Sequence, residues 1–470
     1  MSAKVGRREV DFTSGPMLKK IILYALPIIG VNVLQLLFTM ADLSVLGIFT
    51  GNDNAIAAVG ATTPIINLCI GFLTGLAVGA NVKIARLVGA KDEKQARVFV
   101  GTAIFISIVG GILLMILGVI LAEQMLIWTN CAPTVLPYAT KYLRIYFLGM
   151  PIIMVYNFCS AILRAVGDTA RPLYFLIIGG ILNVLLNIFF ITVVGLDIEG
   201  VAIATVVSNS VSGICALVLM IKSDGYAKIE RKYLKISKEE LLDIVKIGLP
   251  IAISKCLFSF SNVIVSAKLN SLGDVAMTAH SITKEFDGFI LEIVHAIDAA
   301  SIAVISQNFG ARKMERIKKV IFLTIAMQVV CSFILSGLLM VFGKTLCGIM
   351  TDTEIVLELC MVRIYSISIF YFLLGLLGVV QEAIRGIGYS LTSTLVSVFA
   401  NIILRLIYIY FVYPFISIEG NLAHNLQMLY LLYPASWFVA LVVATVILIV
   451  LFNHVKKKLE KEKELKREEL

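Results

Sequence analysis

Charge is scarce in this chain. Only 15% of its 470 residues are Asp, Glu, Lys or Arg, against about 25% in an ordinary soluble domain. Paired cysteines are missing too. The eight cysteines, Cys69, Cys131, Cys159, Cys215, Cys256, Cys331, Cys347 and Cys360, are scattered singly with no CxxC pair. They read as small core residues, not as a disulfide framework or a zinc site. No G-x-x-x-x-G-K-[ST] loop is present, so no nucleotide binds through one, and neither H-E-x-x-H nor a nucleophile elbow occurs. Gly386-Ile387-Gly388 lacks the downstream pattern of a phosphate loop and reads as a tight turn at a helix end. The opening MSAKVGRREVDFTSGPMLKK is too polar for a cleaved signal peptide, and no small-residue cleavage site follows it. These absences exclude a soluble enzyme, a disordered chain and a secreted disulfide scaffold.

What is present is apolar sequence, at 59% of the residues. That much cannot be hidden inside a water-soluble surface and must face lipid. A crossing helix needs about 20 mainly apolar residues. Twelve such stretches are expected, at 17–49, 55–81, 95–121, 134–162, 171–194, 200–221, 241–269, 275–306, 317–343, 355–384, 391–416 and 424–453. Runs such as Ile177 to Val194 are apolar on all faces, without the alternation of a membrane barrel, so the spans are helices.

The connections alternate in character. Basic residues gather in the N-terminal segment (Lys4, Arg7, Arg8, Lys19, Lys20), at 83–97, 164–171, 222–246 and 312–319, at Arg385 and at 456–467, which together hold 32 of the 40 Lys and Arg. The other connections, TGNDN at 50–54, GLDIEG at 195–200, NSLGD at 270–274 and TDTE at 351–354, carry acids and no Lys or Arg. The positive-inside rule puts the basic set and both termini in the cytoplasm. The net charge of +9 then reports topology and attraction to anionic membrane lipids, not nucleic acid.

The chain is duplicated. YALPII at 24–29 matches IGLPIA at 247–252, ARLVGAKDEKQAR at 85–97 matches SQNFGARKMERIK at 306–318, LRAVGDT at 163–169 matches IRGIGYS at 384–390, and DIEG at 197–200 matches SIEG at 417–420. The order is the same and the spacing stays near 220 residues. The expected organisation is an N-terminal six-helix bundle at 1–221, a cytoplasmic linker at 222–240, a second bundle at 241–455 and a charged tail at 456–470. Six spans per repeat make the copies parallel, related by a pseudo-twofold axis along the membrane normal. Secondary transporters are built this way, with the substrate cavity between the halves. One chain supplies both halves, so a monomer is the expectation.

Without a nucleotide site, an ion gradient is the remaining energy source, and ion coupling needs polar residues within the membrane. Asp42 stands out in span one, about 10 Å from its outer end. A carboxylate at that depth is costly and functional by default. Pro27 lies in the same span and removes a backbone donor, which can kink the helix. Asn183 and Asn187, four apart in span five, share a face, as do Thr205 and Asn209 in span six. Asn157 in span four and Gln35 in span one add further amides. Such oxygens coordinate hard cations such as Na⁺; interhelical hydrogen bonding is the alternative use. Span eight of the second repeat holds Lys284, Glu285, Asp287, Glu292, His295 and Asp298. Glu285, Glu292 and His295 share one face, and Asp287 and Asp298 another. Two readings stand here, a buried ion-pair network that fixes packing and a proton relay through His295.

Several of these stretches are similar to one family. Leu26-Pro27 and Leu249-Pro250, ADLSVLG at 41–47, ARLVGAKD at 85–92, ILRAVGDTARP at 162–172, SQNFGARK at 306–313 and AIRGIG at 383–388 resemble the multidrug and toxic compound extrusion (MATE) transporters over essentially the whole chain. The resemblance implies an all-α inner-membrane antiporter that exports amphipathic, cationic small molecules in exchange for Na⁺ or H⁺ and needs no other cofactor. It implies that Asp42 carries the coupling ion and that Asn183, Asn187 and Thr205 accompany it. Some members have Asp where this chain has Asn187. Others use a glutamate in span seven, where this chain offers Ser254 and Lys255 but no acid. The rival expectation is a flippase for lipid-linked sugars or cell-wall precursors, whose anionic headgroup would call for Lys255, Lys284, Arg363 and Arg405, all in the second repeat.

Overall fold

The computed structural model describes residues 9–468 except Gly51. Lys4, Arg7 and Arg8 of the basic N-terminal segment, and Gly51 of the TGNDN turn, lie outside the described residues, as do the side chains of Asp53, Lys463, Lys466 and Arg467. All regular structure among the described residues is helical. In the first repeat the helices are α1 (Met17–Thr50), α2 (Asp53–Gly89), α3 (Glu93–Trp128), α4 (Leu136–Leu148), α5 (Met150–Ala165), α6 (Ala170–Thr192) and α7 (Ile198–Lys222). Then follow α8 (Lys238–Asn270), α9 (Asp274–Gly310), α10 (Met314–Gly348), α11 (Glu354–Ile367), α12 (Tyr371–Gly386), α13 (Ser390–Val398), α14 (Leu404–Ile407), α15 (Tyr413–Ile416), α16 (Leu422–Tyr430) and α17 (Leu432–Glu468).

Among the described residues ten helical stretches are long and apolar enough to cross a bilayer, counting α11 with α12, α13 to α15, and α16 with α17 as one stretch each, and α4 with α5 makes an eleventh. The expected span at 241–269 forms the helix α8, which with its lysines and acids is not among them. This is a multi-pass membrane protein. Its exposed surface agrees: on α6, Ile178, Ile181 and Leu185 are 51%, 56% and 60% exposed. The same helix buries Gly180, Asn183 and Asn187 on its other face. Apolar side chains point outward and polar ones inward, as lipid requires.

The span expected at 134–162 is broken. α4 and α5 meet at Gly149 with a 53° bend. Pro151 sits in the first turn of α5, where its missing N–H leaves no hydrogen bond unmade. Pro27 and Pro250 behave otherwise, because α1 and α8 run on through them. The stretch at 390–416 contains two π-helical turns, Phe399–Ile403 and Tyr408–Val412, on either side of α14.

The duplication is written in the backbone. Lys91 and Arg312, matched residues of the two repeats, both hold positive φ, at 61° and 58°. Both close a helix the same way. The Asp92 N–H donates to Leu87 O and the Lys313 N–H to Asn308 O, the six-to-one bond of a Schellman end. The second matched pair of turns, at Gly167 and Gly388, repeats this: Asp168 donates to Leu163 O and Tyr389 to Ile384 O.

The chain divides into two compact units. The first holds Ile22–Ala252 and the residues up to Ser14; the second holds Ile253–Leu470 and Gly15–Ile21. The division falls inside α8. In the first unit α6 packs on α7, and α3 packs on α4 and α5, around a core that includes Leu73, Phe99, Leu126, Phe147 and Phe158. The 222–240 segment is seated on the same unit: the Arg97 guanidinium donates to Gly225 O and Glu230, and Thr102 Oγ1 donates to Lys235 O. In the second unit α9 packs against α10, α11 and α12, and α12 packs on α17.

Candidate functional site

The site in the first unit rests on how closely α1 and α6 approach. A Cβ built on Gly180 would lie 1.9 Å from the Phe38 ring, so only glycine admits that ring against α6. Further along both helices, Asn187 Nδ2 donates to Asp42 Oδ1 at 2.6 Å. Gly30 against Leu173, Phe38 against Gly180 and Asp42 against Asn187 advance together along both chains, so the two helices run in the same direction. Asn187 is fully buried and its Oδ1 has no hydrogen-bond partner. A buried amide oxygen left unpaired costs about 1–3 kcal/mol. Beside a carboxylate, it is an acceptor waiting for a donor or a cation.

One helical turn toward the start of α6, Asn183 Nδ2 donates to Thr205 Oγ1 of α7 at 3.4 Å. Thr205 Oγ1 in turn donates to Val201 O at 2.9 Å. Two further groups join this site that the sequence pattern did not single out. Tyr142 and Tyr146 of α4 are buried, their rings stack at 6.3 Å, and both lie within electrostatic reach of Asp42. Their i, i+4 spacing was the available signal.

The other amides of the first repeat are placed differently. Asn157 Nδ2 donates to Ile153 O and Asn209 Nδ2 to Thr205 O, each within its own helix. Gln35 is exposed.

On α9 the acids separate. Asp287 forms a buried ion pair with Arg363 of α11. The Arg363 guanidinium lies 5.6 Å from the Tyr430 ring, and Tyr430 stacks on His280. Asp298 accepts from Gln328 Nε2 of α10 at 2.9 Å. So the two aspartates that share a face by spacing are held by different helices. Glu285 and His295 are exposed and Glu292 is half-buried. Lys255 lies within electrostatic reach of Glu292 and His295. Glu382 pairs with Arg385, three residues on in α12.

Known proteins match this chain throughout. The MatE family profile matches it twice, over residues 27–189 and 250–411. The probable multidrug resistance protein YoeA of Bacillus subtilis is 28% identical over 389 residues, covering 80% of this chain and 83% of that protein. The multidrug export protein MepA of Staphylococcus aureus is 23% identical over 388 residues, covering 82% and 86%. Among solved structures, an outward-facing multidrug resistance MATE family transporter of the MOP superfamily superposes with a TM-score of 0.88 at 20% identity, covering 97% of this chain and all of the other.

Proposed function

The chain belongs to the MatE family of transporters, and from that premise we propose that it is a secondary antiporter that exports amphipathic, cationic small molecules in exchange for Na⁺ or H⁺. The observation that carries this reading is the pairing of Asp42 with Asn187 beneath an unpartnered buried amide oxygen. A carboxylate, that amide oxygen and the hydroxyl of Thr205 form an oxygen set suited to a hard cation. The same carboxylate can instead take a proton. The names of YoeA and MepA, a multidrug resistance and a multidrug export protein, support the substrate class.

The coupling follows from differential binding. The cation binds Asp42 in whichever arrangement of α1, α6 and α7 brings these oxygens together, and the substrate favours the other. A ligand shifts such an equilibrium only by its difference in affinity between the two states. Pro27 is the point in α1 where one backbone hydrogen bond is already missing, so bending there costs least. The protein works in the inner membrane as a monomer with both termini cytoplasmic, and needs no cofactor beyond the coupling ion.

The test has two arms. Asp42→Asn is expressed in a drug-sensitive host beside the parent, with membrane levels measured. Efflux is expected to fall about tenfold or more, the scale of a lost charged hydrogen bond. Undiminished efflux at normal levels removes Asp42 from the mechanism. In vesicles, Na⁺ and pH gradients are then imposed separately; one of them accelerates drug uptake, and acceleration by neither ends the antiport reading.

A further inference from the structure

Arg405 stands apart from every other charge in the second unit. It is 2% exposed, the largest fully buried side chain among the described residues. Among the described residues no carboxylate pairs with it. Its Nη1 donates to Ser261 Oγ at 2.9 Å and to Asn262 Oδ1 at 3.3 Å, both neutral groups of α8. Its Nε and Nη2 have no hydrogen-bond partner among the described residues. The guanidinium lies 4.8 Å from the Tyr433 ring and 5.8 Å from the Phe258 ring. Tyr433 packs beside Trp437, ring centroids 5.9 Å apart, and the Trp437 indole N–H is also buried without an acceptor. A buried cation without a counter-charge is strongly destabilising. Two unpaired donors on one guanidinium, with no acid beside them, are short of an anion, and Trp437 adds a third unpaired donor one helical turn on from Tyr433.

Two independent features point to a site here. The first is the duplication: the family matches begin at 27 and 250 and end at 189 and 411, an offset of 222–223 residues. The motif matches on either side, 163–169 with 384–390 and 197–200 with 417–420, run at 221 and 220, so Arg405 falls opposite residues 182–185 of α6, the helical turn that carries Asn183 of the Asp42 site. Where the first repeat gathers oxygens around a carboxylate, the second places a guanidinium. The second is the backbone. Arg405 sits in α14 between two π-helical turns, and such turns concentrate at functional sites because they re-aim side chains.

We propose that Arg405, with Trp437, forms an anion site in the second repeat that takes the oxyanion, carboxylate or phosphate, of an amphipathic molecule. The planar guanidinium offers adjacent Nε and Nη2 donors that match two oxygens of one such group. The rings of Tyr433, Trp437 and Phe258 flank the position with apolar surface for the rest of the ligand. The oxyanion comes from a soluble amphiphile or from a lipid headgroup. This assignment does not depend on the role of Asp42.

The chain contains two tryptophans, Trp128 and Trp437, so Trp128→Phe leaves Trp437 as the reporter inside the site. The full chain with that change is purified in a neutral maltoside detergent. Dodecyl phosphate, dodecanoate and dodecyltrimethylammonium are titrated in turn. The anions are expected to give a saturable change in Trp437 fluorescence, and the cation none. Arg405→Gln is expected to weaken anion binding at least about tenfold, with a melting profile showing that it is folded. If Arg405→Gln does not fold, the melting temperature of the parent decides: dodecyl phosphate raises it and dodecyltrimethylammonium does not. In nanodiscs, phosphatidylglycerol that abolishes the response to added dodecyl phosphate identifies a lipid as the occupant. A response that persists equally in phosphatidylglycerol and phosphatidylcholine identifies a soluble amphiphile. No saturable anion response in the parent, an equal response to the cation, or unchanged anion affinity in folded Arg405→Gln overturns the proposal.

Discussion

Asp287 and Arg363 neutralise each other inside the second unit, and that decides what removing either does. Taking one partner from a buried pair leaves the other charge uncompensated, at about 3–5 kcal/mol. Replacing both with apolar side chains of similar size is commonly neutral or stabilising by about 1–4 kcal/mol. Asp287→Leu and Arg363→Met are each expected to lower the melting temperature of the purified protein sharply, and the double variant to restore it. If the double variant also exports drug at the parent rate, the pair is a packing device. If it is stable but inactive, the pair takes part in transport. Much of the first-unit site was legible at this scale. Asp42, Asn183, Asn187 and Thr205 stand out because polar atoms in an apolar span are expensive and therefore few. Tyr142 and Tyr146 did not, because tyrosine is common in membrane helices near the interfaces. The partners of Asp287 and Asp298 were equally hidden: periodicity assigns a face of a helix, not the neighbour that the face meets.

At the scale of elements, apolar runs marked where each helix lies in lipid but not where it ends. α2 has 37 residues, about 55 Å at the helical rise, well beyond the roughly 30 Å of hydrocarbon, and it runs on to Gly89 where the apolar run was expected to end at 81. The extra turns carry Lys83 and Arg86 and are invisible to a hydropathy reading. The break at Gly149 was hidden for the opposite reason, since both halves are apolar. One polar element was also underestimated. The segment at 222–240 reads as a linker but is clamped to the first unit through Arg97, Glu230 and Gln95–Glu240. Hydrogen bonds from Lys232, then from Arg97, hold the Glu230 carboxyl below the usual glutamate range. A depressed acid contributes stability above its unfolded pKa, about 4.3, and loses it as pH falls through the lower folded value. Protection factors of the amides in residues 226–235, measured against intrinsic exchange at each pH, are therefore expected to be high at neutral pH and to fall on acidification below about 4. Arg97→Ala should abolish the protection at every pH while leaving exchange in α6 unchanged. Equal protection in the variant would show that Arg97 is not the clamp.

For the molecule as a whole, the charge pattern makes a claim that the contacts sharpen. Expected outer turns meet each other in the first unit: Asn52 Nδ2 donates to Asp197 at 3.4 Å, and Lys141, at the start of α4, pairs with Glu199. Expected cytoplasmic segments likewise meet their own kind. Lys83 pairs with Asp243 in the first unit, and Lys456 with Glu315 and Arg312 with Glu462 in the second. The two sets stay apart in the first unit, and the cytoplasmic set holds together in the second, so one labelled position from each set tests the expected orientation. Cys131 provides the outer one, in the connection between α3 and α4, and it is half-buried. Burial pushes its thiol up, so the reactive thiolate accumulates only as pH rises past the usual thiol value, about 8.5. A chain retaining Cys131 alone is expected to react with a membrane-impermeant maleimide in intact cells, faster as pH rises through that range. A chain with Lys458→Cys as its sole cysteine should react only after permeabilisation. The reverse pattern would invert every loop and put the 32 clustered basic residues on the outer face, where the positive-inside rule does not allow them.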